Sequence, residues 1–297
     1  MTLYDQKGSN IRKTFLLFTI FLVVIIGIGW IFSRAYANPS ILFFAVILSS
    51  LMSFISYWYS DKIVLKISRA RPIEEKDNRE LYHIVENLCI TAGLPVPKIY
   101  LIDEKAMNAL ATGRDPKHAV VAITSGLLEK LDKSELEGVI SHELSHIGNR
   151  DILLSTVVVV LVGFVVLLSD FFMRSMFWGG FGRRDDREGG NQGGAIMMMI
   201  GIAMAILSPI AVTLIQLAIS RNREFLADAS GTLLTRYPGG LISALQKISA
   251  DPTPLKVANK ATNHLWISSP RKSSITKLFM THPPIEERIK RLREMNI

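Results

Sequence analysis

Four long apolar blocks constrain this chain more than any other feature. Crossing the hydrocarbon core takes roughly 20 apolar residues in a helix, and the stretches 14–32, 41–59, 152–173 and 195–219 approach that length. The first is too long for the core of a signal peptide, and no clear small-residue cleavage site follows it. The second ends in Tyr57, Trp58 and Tyr59, residues suited to the membrane–water boundary. The third is interrupted by Ser155, Ser169 and Asp170, and the fourth contains Pro209. These two read either as spans or as a hydrophobic hairpin lying against the protein or the interface.

Charge orients the blocks. Lys7, Arg12 and Lys13 precede the first, only Arg34 separates the first two, and Lys62, Lys66, Arg69 and Arg71 follow the second. By the excess of Lys and Arg in cytoplasmic flanks, the N-terminus and residues 60–151 are expected in the cytoplasm. Arg221 and Arg223 put the chain after the fourth block on the same side. The glycine-rich stretch 174–194 carries four arginines and departs from this pattern. The net charge of +8 is therefore explained by membrane orientation rather than by a nucleic-acid partner, for which the chain has no zinc-finger Cys pairs. A hydrophobic share of 49% excludes a disordered polyelectrolyte. The single cysteine, Cys89, allows no intrachain disulfide and reads as a small buried apolar residue.

The expected organisation is a transmembrane hairpin over residues 1–59, then a cytoplasmic domain over 60–297 interrupted by the second hydrophobic hairpin. Asn78–Ile90 has a helical apolar face ended by the run Gly93–Pro97. Lys98–Ile102 and His118–Ile123 read as short strands, with Asn108–Thr112 a third between them. Ser134–Glu137 has the pattern of a capping box. It opens a helix with Leu136, Val139, Ile140, Leu144 and Ile147 on one face, running on towards the third block. Pro283 and Pro284 open a last helix. The fold class is α+β: a mainly helical multi-pass membrane protein with a cytoplasmic domain containing a small sheet.

His142-Glu143-Leu144-Ser145-His146 fits the pattern H-E-x-x-H on that capped helix. The i, i+4 spacing sets both imidazoles on one face, where they can share one Zn²⁺. Glu143, about 100° round the helix, can then reach a water without being a ligand. A hydrolytic centre needs this arrangement. The alternative is a helix with two solvated histidines and a surface glutamate. A third ligand is needed, and no His follows at the extended metzincin spacing. Glu224 is the best candidate, with Asp228 one turn on and able to orient a ligating His. Glu224 could instead pair with Arg221 or Arg223. The hairpin supports the first choice: if blocks three and four both cross, His146 and Glu224 emerge on the same face.

His-Glu-Leu-Ser-His-Ile-Gly-Asn-Arg-Asp151, Arg-Glu-Phe-Leu-Ala-Asp228, Asn-Ala-Leu-Ala-Thr-Gly113 and Thr-His-Pro-Pro284 together resemble the HtpX family of bacterial membrane-bound zinc metalloproteases, relatives of the type I CAAX prenyl protease. The resemblance covers nearly the whole chain. It implies one Zn²⁺ held by His142, His146 and Glu224, with Glu143 as catalytic acid/base in a gluzincin-type site. It implies that Asn108 and Ala109 lie on an edge strand that pairs with substrate backbone; the family usually has Phe where this chain has Leu110. It further implies cleavage of misfolded or damaged membrane proteins on the cytoplasmic side of the bacterial inner membrane, in a stress response alongside an ATP-dependent membrane protease. The chain itself has no G-x-x-x-x-G-K-[ST] loop. His282 could donate to the oxyanion or cap the last helix. His83, His118 and His264 read as ordinary. Two other readings are a CAAX-type processing protease, which needs a larger apolar chamber than four spans give, and a non-enzymatic scaffold whose zinc only folds the domain.

Overall fold

The computed structural model describes residues 3–180, 221–258, 262–268 and 283–295. The fourth apolar block, most of the stretch 174–194 and His282 lie outside these residues.

The first two blocks fold as longer helices than their apolar cores, α1 over Leu3–Ala35 and α2 over Pro39–Ile67. Asn38 separates them; its side chain accepts from the Ser40 N–H at 3.0 Å and Pro39 follows at the first helical position, a combination that starts a helix without wasting a donor. The turn returns α2 along α1, and the approach is tight: a Cβ on Gly29 would lie 2.3 Å from the Ala45 Cβ. Block three forms α6 over Asp151–Gly180. All three are long and apolar enough to cross a membrane. Their burial differs with their role. The most apolar window is 61% buried in the third helix but only 28% and 17% in the first two, so the third packs inside while the first two face outward. Phe21 and Phe164 meet edge to face at 5.7 Å across that inner contact. On the outer side Phe43, Phe44 and Ile47 are 65–69% exposed, a surface with lipid as its natural solvent.

Between the second and third helices the chain builds a small sheet and its helices. α3 runs over Arg79–Ala92, opened by the Asn78 side chain and closed by Gly93 in the left-handed conformation, where glycine costs nothing. The sheet has the order β1-β2-β4-β3, with β1 Arg71–Pro72, β2 Lys98–Ile102, β3 Ala109–Thr112 and β4 Val120–Thr124. β2 and β4 are parallel, and β1 and β3 flank them antiparallel. β1 was not foreseen, since two residues carry no period. β4 starts two residues later than expected because Asp115 caps a short turn at Pro116–His118. Thr124 then caps α4, Ser125–Lys130.

α5, Lys133–Gly148, is the central helix. The capping box is not at Ser134 and Glu137 as expected: Asp132 accepts from the Glu135 N–H at 3.0 Å, and Glu135 accepts from the Asp132 N–H at 2.9 Å. The helix also does not run on into the third block. Asn149 ends it and Arg150 turns to φ +57° before α6 begins. Among the described residues the remaining α-helices are α7 over Arg221–Thr235, α8 over Pro238–Ala250 and α9 over Ile285–Arg293. α7 and α8 pack against α5 through glycines. A Cβ on Gly231 would come within 2.9 Å of the His142 backbone nitrogen, and one on Gly138 within 2.6 Å of the Leu241 nitrogen. Only glycine lets these backbones approach so closely.

Candidate metal centre

The site is built on the buried face of α5. Glu135, itself buried, is neutralised by Lys247 Nζ at 2.7 Å and accepts from Ser243 Oγ at 2.6 Å, so α8 fixes the start of the helix. Two turns later His142 and His146 face each other with their Nε2 atoms 3.2 Å apart. Glu224 arrives from the first turn of α7, its carboxylate oxygens 3.8 Å from His142 Nε2 and 3.6 Å from His146 Nε2. The ligand atoms of these three residues all lie within 4.8 Å of one another, the one such cluster among the described residues. Two ligands about 2.0–2.1 Å from a tetrahedral ion lie roughly 3.3 Å apart, which matches the imidazole pair.

Each histidine is held from behind. His142 Nδ1 is 3.0 Å from Asp228 Oδ1, and His146 Nδ1 is 3.0 Å from Asp151 Oδ2. An ionised carboxylate only accepts, so both Nδ1 atoms carry the proton and both Nε2 atoms face the shared point. Asp151 is the surprise. Five residues along a continuous helix it would sit about 140° away from His146. The left-handed turn at Arg150 brings it back. Asn10, from α1, donates to Asp151 Oδ1 at 2.5 Å and to the Asn149 carbonyl at 3.2 Å, and Arg223 Nε stands 3.5 Å from Asp151.

Arg288 of α9 was also missed. It is fully buried and donates from Nε and Nη2 to the two Asp228 oxygens at 2.8 and 2.6 Å, and from Nη1 to the Ile267 carbonyl at 3.0 Å. Its Nη1 is 3.8 Å from Glu224. One signal for it existed: Ile285, Arg288 and Leu292 share an apolar stripe, and a charge on such a stripe needs a buried partner.

These contacts set the charges. Burial alone would raise the Asp228 carboxyl, but the Arg288 guanidinium and the His142 hydrogen bond hold it well below the usual carboxylate range. Burial lowers His142, helped by Arg288. Burial also works against a charged His146, yet the Asp151 hydrogen bond and Glu224 push it up to about 9. Burial raises Glu143 to about 7, with His146 opposing and Glu224 reinforcing. His142 is thus held as a neutral imidazole while positive charge is favoured at His146, and three donor atoms converge between them, which is the chemistry of a divalent-metal site.

β3 is one of the two edge strands of the sheet, and it borders this centre, its Ala111 backbone favouring the ionised form of Glu143. Asn108 and Ala109 are buried. The Ala109 carbonyl accepts from the Ile267 N–H at 3.1 Å, and Asn108 Nδ2 donates to the Ser268 carbonyl at 3.3 Å. His264, expected to be ordinary, is buried with Nε2 3.0 Å from the Ser155 carbonyl.

The sequence profile of peptidase family M48 matches residues 75–296, from just before α3 to beyond α9. The chain belongs to peptidase family M48. As an M48 peptidase it also has close full-length relatives. It is 45% identical over 298 residues to a protease HtpX homolog of Caldanaerobacter subterraneus subsp. tengcongensis, covering 100% of this chain and 99% of that one. It is 46% identical over 294 residues to a protease HtpX homolog of Tropheryma whipplei, covering 99% and 98%. The crystal structure of Ste24p from S. mikatae superposes with a TM-score of 0.52 at 19% identity, over 94% of this chain and 65% of that one; this similarity is one of fold. An M48 chain of the HtpX type, with apolar helices of spanning length, is a membrane metalloprotease.

Proposed function

We propose that this M48 chain is a zinc-dependent endopeptidase of the gluzincin type that cleaves misfolded or damaged membrane proteins at the cytoplasmic face of the bacterial inner membrane. The observation that carries the reading is the convergence of His142, His146 and Glu224 beside a buried Glu143 and an edge strand. Zinc held by these three residues would polarise the scissile carbonyl and lower the pKa of water. Glu143 takes the proton of the attacking water and passes it to the leaving amine. A carboxyl raised to about 7 can do both near neutral pH. The neighbouring Ala111 backbone favours its ionised form. Asp228 and Asp151 fix the imidazole tautomers, and Arg288 keeps Asp228 ionised.

Substrate backbone would add to β3 as an extra strand. The Ala109 carbonyl already accepts from Ile267, so a peptide must displace that segment or pair further along, towards Ala111. Unfolded chains supply the extended backbone this needs, which favours damaged substrates. The spanning lengths of α1, α2 and α6 support the multi-pass arrangement, and the basic flanks of α1 and α2 support the cytoplasmic site. The stress-response role, alongside an ATP-dependent membrane protease, rests on the resemblance to HtpX proteins and on the lack of an ATP-binding loop. The test is zinc content and casein cleavage by the purified chain in detergent. Glu143→Gln should keep the metal and lose about 10²–10⁴-fold in rate; full turnover in that variant overturns the assignment. Glu224→Ala should lose metal, and full occupancy there would require another ligand.

A further inference from the structure

A second concave site lies away from the metal centre, where α2 leaves the apolar layer. It is a cavity of about 760 Å³ between α2 and the segment leading into β4. Phe54, Trp58 and Lys62 line one wall at i, i+4 and i+8, a single stripe of α2. Lys98, Arg114 and Lys117 line the other wall. Asp61 is the one carboxylate in the lining; Asp115, nearby, pairs with Arg114 at 3.6 Å and with His118 at 2.8 Å. Cations therefore outnumber carboxylates even when Asp115 is included.

The cavity is graded along the helix. Phe54 and Trp58, 54% and 43% exposed, lie towards the apolar layer, and Tyr59 marks its boundary. Lys62 lies one turn beyond. Two cations are tied to the aromatic residues: the Arg114 guanidinium sits 4.6 Å from the Trp58 ring centroid, and Lys62 Nζ 5.1 Å from that of Tyr59. Aromatic residues of this kind sit at headgroup depth, and basic pockets beside spanning helices recognise anionic headgroups. An apolar end and a cationic end, one helical turn apart, match one kind of ligand.

We propose that this cavity binds an anionic phospholipid, its phosphate held by Arg114, Lys62 and Lys117 and its first acyl carbons against Phe54 and Trp58. A free phosphate would use the cationic wall alone and leave the aromatic wall idle, so the graded lining favours the lipid. The site is separate from the metal centre and does not depend on the protease assignment.

The test is thermal unfolding of the full chain in detergent, titrated with phosphatidylglycerol, phosphatidylcholine or inorganic phosphate, with bound lipid counted by native mass spectrometry. Phosphatidylglycerol should raise the melting temperature where phosphatidylcholine does not, and should be retained in the spectrum. The double variant Arg114→Gln/Lys117→Gln should bind it about tenfold more weakly or worse, while Lys76→Gln, a surface control, should bind as wild type. Phe54→Ser should weaken the lipid and leave the cationic wall intact. If the double variant does not fold, the exposed Lys62→Gln takes its place, with at least a severalfold loss expected. Equal binding of the two lipids, or unchanged affinity in the charge variants, overturns the proposal. An equal shift with inorganic phosphate also overturns it, assigning the site to a free anion.

Discussion

Asp228 and Arg288 show how far the candidate metal centre extends beyond the three residues that would hold the ion. The carboxylate fixes the His142 ring, and the guanidinium fixes the carboxylate through two hydrogen bonds of 2.8 and 2.6 Å. A lysine cannot reproduce that planar fork. Arg288→Lys should therefore lower zinc affinity while the chain stays folded, and Asp228→Asn should lower it about 10–100-fold, both measured by competition with a chelator of known affinity. Unchanged affinity in both would leave the orienting role without support. His142, Glu143 and His146 could be read directly, because five consecutive residues of helix define their geometry. Glu224 needed the added idea of a hairpin. Asp151 was hidden because its position depends on one left-handed residue, Arg150, and no periodicity reveals such a turn. Arg288 was passed over because Lys290, Arg291 and Arg293 around it are what a solvated final turn carries.

The helices place these residues only because α7 can lie almost against the backbone of α5. A methyl group on Gly231 would meet the His142 nitrogen at 2.9 Å and the Ser141 carbonyl carbon at 3.0 Å, atoms that cannot yield. Gly231→Ala should cost about 1–3 kcal/mol of stability and also weaken zinc binding, since α7 carries Glu224 and Asp228. Gly163→Ala, in α6 with nothing within 4 Å, should do neither; thermal melts with and without zinc separate the two. The end of α8 has a device of its own. Asp251 accepts from Lys130 Nζ at 3.0 Å and from the Met107 N–H at 3.2 Å. Burial would raise its carboxyl, but the hydrogen bonds, Thr253 first, hold it down at about 2. A depressed carboxyl stabilises the fold above its unfolded value and loses that contribution as pH falls through about 2. Asp251→Ala should thus melt earlier than wild type at pH 7, and the gap should narrow steadily below pH 4. α3, β2 and the start of α5 were legible from periodicity and caps to within a few residues. The break between α5 and α6 was not read, although Gly148 and Asn149 are residues that helix ends favour, because the apolar pattern resumes at once at Ile152.

Across the whole molecule, three of the four apolar blocks are helices of spanning length and the fourth lies outside the described residues. Their polarity gives a direct test of orientation. Cys89 is buried and its thiol is pushed up to about 11 by that burial, so it stays silent to maleimides. A cysteine at the exposed Tyr36, between α1 and α2, should label from outside intact cells with an impermeant reagent. One at Glu75 should label only after the membrane is opened; the reverse pattern would invert the topology. The four blocks announced a membrane protein, but not that its first helix reaches the metal centre. Through Asp151, Asn10 steadies His146; through Asp228, Arg288 steadies His142. During translation Asn10 is made first and Arg288 last. A chain still on the ribosome can have its membrane helices inserted and its H-E-x-x-H helix folded, yet lack the guanidinium that secures the second imidazole. The full set of contacts behind the two imidazoles is therefore complete only once α9 has been made.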